Sequence, residues 1–302
     1  MKKSTRNKTI GVMAAGMIVT ASLGAAAYAN GSAYDNFRTA VVKTAAIDNS
    51  TLTSNIQVTQ NGAVTASGKL EVQSAGEDLY SSGQFEIGGH TLAVEQSTDG
   101  DKLILRKGDQ YYSVDASGEE LSEKPDFETS PSAIRLAEAA SDLLLGDIKN
   151  RFTENGDTIT LSLTDAQIPE LANLAMNAVL EAGAQHGTDR LSEEAQWQSE
   201  WSDFDGASLF PITSNGRVEK VRLDAKVTDG TITALTTTIG VSGLDKDGQK
   251  VELEASIDSA FSNIGSTVPQ DIDVTGKNVE EVDLESGHGK FGHGPFGSDR
   301  SQ

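Results

Sequence analysis

The stretch GLDKDGQKVELE, residues 243–254, spells part of a calcium loop. Counted as twelve residues, it places Asp245 at position 3, Asp247 at 5, Gly248 at 6 and Glu254 at 12. An EF-hand loop carries side-chain ligands, its turn glycine and its bidentate glutamate at those positions. Position 1, however, is Gly243 instead of Asp, position 8 is Lys250, and the flanks alternate like strands. A hairpin turn requires only Asp247 and Gly248, so the stretch is read as a turn and no metal is assigned to it. A second metal-type pattern is the tandem HGKFG–HGPFG, residues 288–297. His288 and His293 are soft-metal donors as neutral imidazoles, but two ligands on a glycine-rich segment leave the coordination shell incomplete.

Catalytic chemistry has less to build on. There is no cysteine and no G-x-S-x-G nucleophile elbow. His90 lies in GGHT, a turn context, and His186 follows a predicted helix; both are read as structural or exposed. Carboxylates are so numerous that no single pair stands out as the acid–base couple a glycosidase would need. No catalytic residue and no cofactor are assigned. The most suggestive cluster is aromatic. Trp197, Trp201 and Phe204 lie in SEEAQWQSEWSDF, and both tryptophans of the chain are among them. A short amphipathic helix there would pack as core or lid, or touch a ligand. Its polar face is acidic, unlike the Lys/Arg-rich face of membrane-surface helices.

The whole chain bounds these readings. Lys2, Lys3, Arg6 and Lys8 precede an apolar run from Ile10 to Ala27 that ends in Ala27–Tyr28–Ala29. This is the pattern of a secretory signal, with cleavage expected after Ala29 and residues 30–275 forming one domain. The alternative is an uncleaved anchor through residues 10–27, which would be the chain's membrane contact. Removing those four basic residues leaves 20 basic against 45 acidic residues, a formal charge of −25. Phosphate backbones and anionic headgroups repel such a chain, so no nucleic-acid partner is expected. Without cysteine there is no disulfide staple and no N-terminal lipidated cysteine.

The elements that would hold any site are mostly strands. Asn-Gly or Asp-Gly occurs at 61–62, 99–100, 155–156, 215–216, 229–230 and 247–248, the type I′ hairpin signal. Apolar residues alternate on the flanks: Ile56 and Val58, Leu70 and Val72, Phe85 and Ile87, Leu92 and Val94, Leu103 and Leu105, Ile159 through Leu163. Three helices are predicted besides the short one around Trp197 and Trp201. One spans SAYDNFRTAVVKTAA, with Tyr34, Phe37, Val41 and Ala45 on one face. A second runs from Ser130 to Ile148. The third starts near Asp165, with Pro169 in its first turn. The order predicts an α+β fold: a strongly curved antiparallel sheet, barrel-like but unclosed, with helices packed on one face. Residues 276–302 read as a disordered tail.

Three phrases carry a family resemblance: LLLGDIKNRF (143–152), LTDAQIPELANLAM (163–176) and IGSTVPQDID (264–273). With the element order over residues 33–275, the chain resembles exported bacterial lipid-carrier proteins of the LolA-like and LppX-like class, and uncharacterised Gram-positive envelope proteins similar to them. The resemblance implies an apolar cavity between sheet and helices and a non-enzymatic role. The expected ligand is a lipid or another apolar molecule, with Trp197, Trp201 and Phe204 as its candidate contacts. Two alternatives stand beside it: a signal-anchored surface interaction domain without a small-molecule ligand, and a carboxylate-dependent hydrolase.

Overall fold

The computed structural model describes residues 32–99, 102–115, 148–170, 172–174, 176–177 and 210–282. Twelve strands form one open sheet in the order β12-β6-β5-β4-β3-β2-β1-β11-β10-β9-β8-β7. Two antiparallel wings make it up. The first is a meander of β1 (Asn49–Gln60), β2 (Ala63–Ala75), β3 (Asp78–Ile87), β4 (His90–Asp99), β5 (Lys102–Lys107) and β6 (Gln110–Asp115). The second holds β7 (Phe152–Asn155), β8 (Thr158–Thr164), β9 (Ser214–Thr228), β10 (Thr231–Leu244) and β11 (Lys250–Ser262). A seam joins them, with β1 antiparallel to β11 from Thr51↔Ser262 to Gln60↔Leu253. The last strand, β12 (Val279–Val282), adds in parallel to β6.

Turn chemistry sets the hairpins. Asn61–Gly62 and Asp229–Gly230 have positive φ at both residues, as a type I′ turn requires. Gly88–Gly89 closes β3 onto β4 in the same way. The pair Asn215–Gly216 is an exception to the hairpin expectation. It lies inside β9, where Asn215 adopts φ 53° and the pairing with β10 slips. The left-handed residue there serves an irregularity in the strand and not a reversal of the chain.

Helix α1 (Ala33–Ala45) opens with a capping box. Ser32 accepts a hydrogen bond from the Asp35 backbone N–H at 3.2 Å, and Asp35 accepts in return from the Ser32 N–H. Its buried face is Tyr34, Phe37 and Ala40, with Val41 partly buried; Ala45, expected on that face, is exposed. Phe37 is fully buried with its ring 5.3 Å from that of Phe152 on β7, and Tyr34 meets the same ring edge-on. The Thr44 hydroxyl ties the other end of the helix down, donating to Ala40 and accepting from the Ile232 N–H.

Other helical expectations shift. Ile148 begins a 3₁₀ turn (Ile148–Arg151). Asp165–Gln167 is a separate 3₁₀ turn, and the helix expected from Asp165 starts only at Glu170, because Pro169 cannot supply an N–H to continue the turn. Residues 172–174 and 176–177 are helical. The core cluster gathers α1 residues with Phe152, Ile159, Leu161, Leu223, Val241 and Leu253 of the second wing. The fold also runs past residue 275. Residues 279–282, expected in the tail, form β12, since an edge strand needs only backbone groups facing β6 and little apolar pattern. Among the described residues no helix is long and apolar enough to cross a membrane. Residues 1–29 and 283–302 lie outside the described residues.

Candidate apolar binding face

Residues directly opposite one another on paired strands project to the same face. The registers can therefore be followed across the sheet. One such row reads Leu161–Leu223–Thr237–Ile257–Ile56–Gly68–Phe85–Leu92, from β8 to β4. One residue along, the row on the opposite face reads Ser162–Arg222–Thr238–Ser256–Gln57–Ser67–Glu86–Thr91. The sheet is thus amphipathic across both wings and through the seam.

The apolar face differs between the wings. In the second wing it is the protein core, with Ile159, Val251 and Leu253 buried beside α1. In the first wing Leu70 and Val72 are buried, but Ile56, Val58, Phe85, Ile87, Leu92 and Val94 are only half-buried. Its centre is unusually flat. Phe85 lies over two glycines, Gly83 two residues before it and Gly68 across from it on β2. A Cβ on Gly83 would stand 2.7 Å from Phe85 Cε2, and one on Gly68 would come closer still to Cδ1. Glycine inside a strand marks such an approach, here by a ring laid along the sheet. At the seam the face carries one polar pair, Ser54 and Ser259, whose hydroxyls bond each other at 2.8 Å. Ser54 is fully buried, so this partner is what makes its burial tolerable.

The polar face holds two open depressions, of about 380 and 490 Å³. Lys69, Glu71, Gln84, Glu95 and Arg106 line the first; Asn55, Gln57, Glu86 and Asp258 contribute to the second. Several of their charges are engaged: Arg106 pairs with Glu95 at 3.1 Å, and Glu71 accepts from Gln73 at 2.6 Å. Four carboxylates of the described residues are held below their ordinary range. Asp157 owes this first to the Thr158 hydroxyl, Asp224 to Arg222, Glu252 to Lys250 and Asp273 to the Thr275 backbone N–H. A general acid requires displacement the other way.

No protein-family model matches the chain, and no curated protein matches it significantly. Among solved structures, a LolA superfamily protein from Nitrosomonas europaea aligns over 82% of this chain and 98% of its own, at 13% identity and a TM-score of 0.18. A score that low carries no weight, and the functional reading rests on the sheet's own two faces.

The residues singled out from sequence fare unevenly. Residues 243–254 are a hairpin connection. The Asp245 carboxylate accepts from the backbone N–H groups of Asp247 and Gln249, Gly248 adopts φ 73°, and Glu254 sits on β11 paired with Lys220 at 3.0 Å. Among the described residues no three His, Asp or Glu side chains gather as a metal site would. His90 is the exposed first residue of β4. Trp197, Trp201, Phe204, His186, His288 and His293 lie outside the described residues. The sequence marks Phe85 as a strand residue; the signal for its packing is a glycine on its own face in each of two adjacent strands.

Proposed function

We propose that this is a non-enzymatic, exported cell-envelope protein that holds a lipid or another apolar ligand against the apolar face of the first wing. In this reading the sheet is curved, helices cover that face, and the ligand lies between the two layers. The observation that carries it is the contrast between wings: the same apolar face is filled as a core beside α1 yet only half-buried around Phe85. Half-buried apolar area of this extent is what a ligand of matching character gains by covering, at about 25 cal/mol per Å². Export rests on the N-terminal pattern of the sequence.

Organic extraction of the purified mature protein, followed by mass spectrometry, is expected to release an apolar ligand near one per chain. Phe85→Glu, which places a charge on the flat centre, is expected to lower that ratio at least tenfold while circular dichroism shows the sheet intact. A folded protein that yields no ligand and binds no apolar fluorescent probe would instead favour the interaction-domain reading. N-terminal sequencing should find the mature chain starting at Asn30.

A further inference from the structure

One row on the polar face is not solvated. It runs Thr51–Gln73–Tyr80–Ser97–Ile104–Ser113 across β1 to β6. All six are buried, at 1–8% exposure. Ile104 breaks the alternation of its strand, and burial together with Glu95 pushes the Tyr80 hydroxyl pKa up. The chain itself lies along this row after β11. Asn49 binds Thr267 with both ends of its amide, at 2.7 and 2.9 Å, and the hydroxyls of Thr51 and Thr267 meet at 3.0 Å. The Gln270 N–H donates to Gln73 and the Ile272 N–H to Ser97. Lys277 then stands over the Tyr111 ring, and β12 joins β6 with Glu281 opposite Ser113.

This is how a sheet recognises an extended peptide: side chains read its backbone N–H groups, and an edge strand extends it by strand addition. We propose that the row and the β6 edge form a peptide-binding track, filled in cis by residues 263–282 and, in a dimer, by the same segment of a second copy. A second copy fits because its segment matches every acceptor that the cis segment uses. The hinge is also in place. Asn263 and Gly265 both have positive φ immediately after β11. Sixteen residues separate β11 from β12 and reach up to about 50 Å, whereas the seven strand spacings between them need about 34 Å. The segment is held by these polar and backbone contacts more than by apolar burial, since Val268 is 84% and Ile264 45% exposed. Exchange of an identical element is a low-cost route to such dimers.

The chain has no cysteine, so engineered pairs report directly. The full-length double variant Ser113→Cys/Glu281→Cys should oxidise to an internally cross-linked monomer. Full-length Ser113→Cys and Glu281→Cys, mixed, loosened in mild denaturant, refolded together at high concentration and oxidised, should give a covalent heterodimer. Lys246→Cys in place of Ser113→Cys should give at least tenfold less. Failure of the double variant to close, no heterodimer from the mixed single variants, or equal heterodimer with Lys246→Cys would each overturn the proposal.

Discussion

Phe85 shows how much a single position can set on this sheet. Its ring occupies the space in which Gly68 and Gly83 have no side chain. Gly68→Ala is therefore expected to destabilise the fold by about 1–3 kcal/mol, the usual cost of overpacking. In urea unfolding, Gly68→Ala combined with Phe85→Leu should cost less than the two single changes added; strict additivity would mean that ring and glycine are independent. Asp224 gives a second residue-scale expectation. Arg222 grips it with two hydrogen bonds, at 2.6 and 3.1 Å, and Thr160 donates to it at 2.7 Å. Its folded pKa is depressed, first by Arg222. Its contribution is therefore complete above the unfolded value of about 4 and is lost as pH falls through the folded value. Asp224→Asn should lower stability at neutral pH and flatten the acid limb of a urea-midpoint profile between about pH 2 and pH 6. An unchanged limb would assign that stability to other carboxylates.

At the scale of elements, alternation in the sequence predicted face membership well. Period alone marks Ile56, Leu70, Phe85, Leu92, Leu103 and Leu161 as inward-facing, and the registers place them all on the apolar face. Period fixes which way a side chain points because pleating alternates by rule. It says nothing about which strands are neighbours, so the β1–β11 seam and the parallel β12 were not legible. Asn215–Gly216 misled because left-handed φ serves an irregular strand as well as a turn. There Asn177 accepts from the Gly216 N–H at 2.9 Å and donates to its carbonyl at 2.8 Å, while Asn173 accepts from the Val218 N–H at 2.9 Å. These two amides continue the ladder at the end of β9 that β8, which stops at Thr164 opposite Lys220, does not reach. Asn177→Ala leaves both Gly216 groups without that partner and should cost about 1–3 kcal/mol in thermal or urea unfolding. A loss below about 0.5 kcal/mol would show that water replaces the amide there. The site was legible only as far as the apolar strands themselves. Gly68 and Gly83 carry no apolar signal, and Ser97, opposite Ile104 in the buried row, is bonded by a segment 175 residues away in sequence.

At the scale of the whole molecule, two meanders of mostly local pairings are joined by one pairing that is not local. Ser262 donates to Thr51 across 211 residues, and Asn49 reaches Thr267 across 218. The order of synthesis then matters. The first wing emerges with its hairpins able to close, but the β1 edge stays unpaired until almost the last strand has been made. Such an edge beside a broad apolar face invites misassociation, and the wait for a distant partner slows folding. The excess of 45 acidic over 24 basic residues has a role during this interval, keeping half-folded chains apart by repulsion. Completion falls to the C-terminal segment. Residues 263–282 are translated after every other strand of the sheet, and their arrival along the polar face would mark, in time, the point at which the sheet is finished.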